Sequence, residues 1–250
     1  MKVWAWAIGS VIVISLISLI GVATLSLNKT RLRAMLLFMV SFAVGGLFGD
    51  AFIHLLPQSF EALGINIKTS LYVLLGFFIF FILEKFIRWR HCHVPTSKEH
   101  VHPVVMLNVI GDGVHNMLDG MIVAGSFAVS VPMGIATTLA VILHEIPQEI
   151  GDFGILVYSG LSIKKALFLN FISALTAVVG AIIALTLESR MKGFATYLLP
   201  VTAGGFLYIG GSDLIPELHK EDHVKISTSL MQLVAIMLGI GIMALLVFVG

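Results

Sequence analysis

The chain has 250 residues, of which 58% are hydrophobic and only 12% charged, with a mean hydropathy of +1.03. A water-soluble domain of this size carries about one-quarter charged residues, so the composition excludes one and points to an integral membrane protein. The formal net charge of +1 gives no basic surface of the kind that binds nucleic acid, and the single Cys92 excludes an intrachain disulfide framework.

The chain opens with Met1-Lys2 and an apolar run from Val3 to Leu27. That run exceeds the roughly 7–15 residues of a signal-peptide core, and no small-x-small cleavage pattern follows it, so a retained first span is expected. At about 20 apolar residues per crossing, hydropathy predicts eight helices, at Ala5–Leu27, Met35–Gln58, Ser70–Ile87, Val104–Val129, Met133–Tyr158, Ala166–Leu187, Tyr197–Glu217 and Ser229–Val249. No polar stretch is long enough for an additional soluble domain, so residues 1–250 read as one all-α transmembrane domain. Eight spans put both termini on one side. If that side is extracytoplasmic, the inner loops hold eleven of the fifteen Lys and Arg residues, which sets the orientation with the termini outside.

The second and seventh spans share a pattern: Gly45-Gly46 precedes His54-Leu-Leu-Pro-Gln58, and Gly204-Gly205 precedes Asp213-Leu-Ile-Pro-Glu217 at the same glycine-to-proline spacing. Because these spans run in opposite directions, the match predicts an inverted repeat of three helices on each side of a central pair, helices four and five.

Chemistry concentrates in that pair. The fourth span carries Asp112, His115, Asn116 and Asp119, with His115 and Asp119 one turn apart on a shared face. The fifth carries His144 and Gln148 on one face and Glu145, Glu149 and Asp152 on the next. The short connection Ser130-Val-Pro132 makes the two helices antiparallel neighbours, so their polar faces meet near mid-membrane. Interhelical hydrogen bonds alone would have to account for two imidazoles, the amides and five acids with no Lys or Arg in either span. Acids without compensating cations call for a bound cation, and imidazole with carboxylate suits first-row divalent metals such as zinc, iron or manganese. Pro147 cannot donate a backbone hydrogen bond and predicts a local opening of the fifth helix.

Asp50 and His54 on the second span, with Asp213 and Glu217 on the seventh, are candidates for lining the entry and exit of the same pathway. The segment His91–His102 holds four of the nine histidines and is a candidate for metal capture on the cytosolic side. Trp4, Trp6 and Trp89 sit near span ends as interfacial anchors. No nucleotide-binding loop is present, so no organic cofactor is expected.

Two other functional classes compete. His144-Glu-Ile-Pro-Gln148 is one residue from the H-E-x-x-H of zinc hydrolases, but Gln148 occupies the place of the second ligand. A metal-sensing membrane protein would depend on the histidine-rich segment rather than on flux.

The stretches His115-Asn-Met-Leu-Asp-Gly120, His144-Glu-Ile-Pro-Gln-Glu-Ile-Gly-Asp-Phe153, Gly49-Asp-Ala-Phe-Ile-His-Leu-Leu-Pro57 and Asp213-Leu-Ile-Pro-Glu217 resemble the Zrt/Irt-like (ZIP) family of divalent metal transporters along essentially the whole chain. The resemblance implies a three-plus-two-plus-three helix arrangement working by an elevator-like movement, uptake of zinc, iron or manganese into the cytosol, residence in the cell membrane, and a homodimer. It also implies that His115, Asn116 and Asp119 ligate the metal together with His144, Glu145 and the Gln148 position, with Glu149 beside them and His54 near the transport site. The nearest subgroup reads His-Glu-x-Pro-His-Glu on the fifth helix. Gln148 departs from that pattern and predicts an altered metal preference.

Overall fold

A computed structural model describes residues 2–24, 29–91, 101–219 and 226–248. The histidine-rich segment 92–100, including Cys92, lies outside the described residues. Every regular element among the described residues is helical. Helix α1 (Lys2–Ile17) passes through a 3-10 turn at Ser18–Ile20 into the short α2 (Gly21–Thr24). Helix α3 (Lys29–Gly49) continues through a π-helix at Asp50–Leu55 into α4 (Leu56–Leu63), and α5 follows at Ile67–His91. The central pair is α6 (Val101–Val129) and α7 (Val131–Tyr158). Helix α8 (Ile163–Ala174) joins α9 (Thr176–Arg190) through Leu175 alone. Helix α10 (Phe194–Tyr208) then passes through a second π-helix at Ile209–Leu214 into α11 (Ile215–Leu218), and α12 spans Ile226–Leu246.

Six of these stretches are long and apolar enough to cross a membrane: Lys2–Ala23, Ala34–Leu63, Ile67–Lys85, Ile163–Arg190, Phe194–Ser212 and Ile226–Leu246. This makes the chain a multi-pass membrane protein. Helices α6 and α7 are of comparable length, at 29 and 28 residues, and carry the polar residues that form the site. Side chains on the outer faces of α5 and α12, such as Leu74, Phe78, Ile82, Leu233 and Met237, are exposed and apolar, as a surface against lipid requires.

Turn chemistry fixes the connections. Gly64, at φ +82°, ends α4, and the Asn66 carboxamide then accepts the Lys68 and Thr69 amides at 2.9 and 3.2 Å to start α5. Ser130 Oγ accepts the Met133 amide at 3.2 Å and Pro132 occupies the first turn, so α7 begins one residue after α6 ends. Helix α7 then runs through Pro147 without interruption. The expected opening of the backbone lies instead in the two π-helices, which no spacing in the sequence announces.

Close backbone approach sets the packing. A Cβ added at Gly45 would lie 2.1 Å from the Ile236 carbonyl oxygen, and one at Gly239 would lie 2.4 Å from that of Phe42, which locks α3 against α12. The α5–α10 contact uses the same reciprocal device: a Cβ added at Gly76 would lie 1.9 Å from the Val201 oxygen, and one at Gly204 1.9 Å from the Val73 oxygen. In lipid, where apolar burial drives little association, such small-residue contacts hold helices together. Gly204→Ala is therefore expected to destabilise the fold by about 1–3 kcal/mol, because a backbone carbonyl cannot move aside as a side chain can. Gly241→Ala, where nothing lies within 4 Å, should leave the melting temperature at the wild-type value. Equal thermal unfolding of both variants in detergent would show the close approach to be unimportant.

Candidate metal centre

Helices α6 and α7 bring four side chains to one point. His115 and Asp119 rise from adjacent turns of α6, and His144 and Glu145 are consecutive on α7; one ligand atom from each lies within 4.8 Å of all the others. His144 Nε2 is 3.0 Å from Asp119 Oδ2 and 3.4 Å from His115 Nε2. Glu145 Oε1 is 3.6 Å from His115 Nε2 and 3.8 Å from His144 Nε2, while His115 Nε2 and Asp119 Oδ2 are 3.7 Å apart. Four donors at zinc–ligand distances of roughly 2.0–2.1 Å around one ion form a tetrahedron with edges of about 3.4 Å. The observed separations bracket that edge.

Hydrogen bonding fixes the chemistry of His144. Its Nδ1 lies 3.1 Å from the Ala140 carbonyl oxygen, which can only accept, so Nδ1 carries a proton. In the neutral ring, Nε2 then presents its lone pair to the Asp119 carboxylate. Two lone-pair groups 3.0 Å apart require a positive centre between them. Asp119, His144 and Glu145 are almost fully buried, and Asp119 Oδ1 and both Glu145 carboxylate oxygens have no hydrogen-bond partner. Neither α6 nor α7 contains a Lys or Arg.

The other residues singled out from the sequence occupy different places. Asp112 is a hub one turn before His115 and Asn116. It accepts hydrogen bonds from Asn116 Nδ2 at 2.9 Å, Gln148 Nε2 at 3.4 Å and Ser173 Oγ at 2.5 Å. Gln148 therefore faces Asp112, and the His144–Gln148 pair does not form the two-ligand arrangement of an H-E-x-x-H hydrolase. Glu149 points toward α8, where Asn170 Nδ2 donates to its Oε2 at 2.5 Å and to the Ser18 carbonyl at 3.1 Å. Asp50, in the first π-helix, is fully buried with both carboxylate oxygens unpartnered. His54 lies away from the four donors, with Nε2 2.9 Å from the Met243 carbonyl oxygen on α12. Asp213 falls in the second π-helix and Glu217 in α11, and their side chains lie outside the described residues. Asn170, Ser173 and Thr176 went unnoticed in the sequence. The signal was there, as three polar residues at helical spacing in an apolar span. Thr176 Oγ1 donates to the Gly113 carbonyl and so ties the start of α9 to α6.

A cavity of about 200 Å³ reaches the centre from one direction. His115 and Gln148 line its inner end, with Asp112, Asn108 and Asp152 farther along; Glu84 and Tyr208 line the α5–α10 side, where the Tyr208 hydroxyl donates to Glu84. On the same side, the Phe80 ring meets His115 edge-on at 5.8 Å, and the Phe206 ring meets His144 at 6.1 Å.

The family model described as ZIP zinc transporter matches residues 1–105 and 93–247. The chain is 30% identical to zinc transporter zipt-7.1 of Caenorhabditis briggsae over 97% of its own length and 79% of that protein. It is 32% identical to the zinc transporter ZIP13 homolog of Drosophila melanogaster over 83% of this chain and 76% of that one. It is 28% identical to the metal cation symporter ZIP14 of Xenopus tropicalis over 98% of this chain and 69% of that one. A buried mid-helix set of two imidazoles and two carboxylates, in a chain matched from end to end, places this protein in the ZIP zinc transporter family, a family of transporters rather than enzymes.

Proposed function

We propose that this protein carries divalent metal cations across a lipid bilayer into the cytosol, with zinc as the first cargo and iron and manganese as the alternatives. The reading rests on one observation, the convergence of His115, Asp119, His144 and Glu145 to within 4.8 Å of one another inside the helix bundle. Two carboxylates neutralise a divalent ion, so the loaded site is close to electroneutral in a medium that penalises net charge. Neutral imidazoles and carboxylates also release their ion more readily than an all-thiolate site would.

In this reading α6 and α7 span the membrane with the six apolar stretches, giving eight crossings. A 28-residue helix rises roughly 42 Å, which exceeds the hydrocarbon thickness of about 30 Å. Their polar side chains are turned inward, while Met106 and Ile110 of α6 and Ile155 of α7 face out. The distribution of Lys and Arg supports placing both termini on the extracytoplasmic side of the cell membrane. The cavity beside His115 then opens toward the cytosol, at the C-terminal end of α5 and the N-terminal end of α6.

Two structural details support an inverted repeat around α6 and α7. A six-residue π-helix precedes Pro57 in one half and Pro216 in the other. The paired glycines also correspond, because Gly45 and Gly204 stand equally far ahead of those prolines, and α12 packs on α3 as α5 packs on α10. Such a repeat supplies the two related conformations that alternating access requires. We assign Asp112, Asn116 and Gln148 to passing the ion between the four donors and the cavity, with Glu149 holding α7 to α8 beside them. Asp50 and His54 line the outer approach, and Asp213 and Glu217 are assigned to the inner mouth by sequence position.

Protein reconstituted in liposomes should take up zinc, and His115→Ala or Asp119→Ala should abolish uptake while the protein keeps its detergent elution profile. Full flux in both variants would sink the site. Asp112→Asn keeps the shape of the hub but removes its charge, and should weaken apparent metal affinity by about 10–100-fold, as the loss of a ligand's supporting partner does. Gln148→His adds an imidazole and should shift competition toward zinc over manganese; an unchanged ratio would remove Gln148 from selectivity.

A further inference from the structure

We propose that Phe80 and Phe206 set the coordination number of the metal centre and thereby its selectivity. The proposal rests on the metal-transport reading above and concerns the side of the site that carries no donors. Helices α6 and α7 supply all four ligands, while α5 and α10 face them with two phenyl rings. Phe80 of α5 is 5% exposed and stands nearly perpendicular to the His115 ring, at 85° and 5.8 Å between centroids. Phe206 of α10 is fully buried and meets the His144 ring at 68° and 6.1 Å. Both lie within the range of favourable edge-to-face aromatic contact.

The packing of α10 is shaped to admit these rings. A Cβ at Gly205 would lie 2.6 Å from Phe80 Cε2, so the absence of a side chain there lets the Phe80 ring lie against α10. The next residue is Phe206, so a single turn of α10 accommodates one ring and presents the other.

The consequence for the ion is chemical. Each imidazole has its rotation restricted by a ring, with His144 additionally held by Ala140. The rings present no lone pair, and they cover the α5–α10 side of the two imidazoles, so no donor approaches the centre from the atoms they fill. The cavity beside His115, which Phe80 borders together with Gln148, brings water to the His115 side of the centre. Zinc and cobalt(II) accept four ligands, whereas manganese(II) prefers six, largely oxygen. A phenyl wall over a four-donor set therefore discriminates between cations that the donor atoms alone would treat similarly.

The test is cobalt(II) binding to the full-length protein in detergent, read by visible absorption and paired with zinc–manganese competition flux in liposomes. The wild-type protein should give the intense d–d absorption of four-coordinate cobalt. Phe80→Ala and Phe206→Ala should still bind cobalt but give the weak absorption of five- or six-coordinate ions, and should reduce the zinc-over-manganese flux ratio by about tenfold. Phe80→Val and Phe206→Val remove much of the ring volume while keeping an apolar side chain; they stand in if an alanine variant does not fold, with a smaller change in the same direction expected. Variants that retain the four-coordinate spectrum and the wild-type flux ratio would overturn the proposal. Failure of the wild-type protein to bind cobalt would instead overturn the metal centre itself, and the proposal with it.

Discussion

The structure depends on holding two carboxylates, Asp119 and Glu145, beside two imidazoles in the interior of a helix bundle that contains no Lys or Arg on either ligand-bearing helix. Transfer of an unpaired carboxylate from water to such an interior is prohibitively unfavourable, and each unpartnered buried oxygen adds to the penalty. A cation between the groups removes the problem. In its absence protons must take its place, since a buried carboxylate without a cation is neutralised rather than left charged. The surroundings are tight. Helix α9 is drawn onto α6 through a reciprocal glycine contact in which a Cβ at Gly120 would lie 1.9 Å from the Ala177 oxygen and one at Gly180 equally close to that of Met117. A donor set whose spacing decides what it can bind needs supporting helices that cannot relax away.

Around the four donors the polar support is one-sided. The hydrogen bonds to Asp112 and Glu149 come from α6, α7 and α8, and Asn170 extends the network to the carbonyl of Ser18. That carbonyl sits where α1 tightens into a 3-10 turn, a local departure that frees backbone groups for a partner outside the helix. The break in α1 and the polar face of α8 are thus parts of one arrangement that fixes α7 in register. Toward α5 and α10 the surroundings of the imidazoles change to phenyl rings. The donors thus lie on one group of helices and face phenyl rings on the other.

Much of this was legible in the chain because two periodicities carried it. Runs of apolar residues marked the helices, and the spacing of His115 with Asp119 put two ligands on one face. The same reasoning placed Gln148 with His144, and there the geometry separates them. A residue four positions on lies one turn, about 6 Å, farther along the axis. An ion bound at His144 Nε2 is reached more easily by the long side chain of the neighbouring Glu145 than by Gln148, whose amide meets Asp112 instead. The π-helices at Asp50–Leu55 and Ile209–Leu214 had no signature, since a π turn reflects tertiary packing rather than residue spacing. Asn170 and Ser173 carried only their helical spacing as a signal, which is weak for a related reason. Isolated polar residues in an apolar span become informative only when the facing helix is known.

The four donors are not equivalent, and in the proposed transport reading their differences would order the release of an ion. His144 is held on three sides, by the Ala140 carbonyl, the Asp119 carboxylate and the Phe206 ring, and is 1% exposed. The side chain of His115 is 14% exposed and borders the cavity. Ligand exchange at a divalent ion is easiest where an incoming water or carboxylate can take the place of a departing donor without opening the packed side of the site. That condition is met at His115 alone among the four. An ion leaving toward Asp112 and Asp152 exchanges His115 first for oxygen donors, and passes His144 last. Release thus runs from a mixed nitrogen–oxygen set into surroundings where the lining donors are oxygens, a progressively weaker environment for zinc. On that reading, the direction of escape follows from which imidazole the helices leave uncovered.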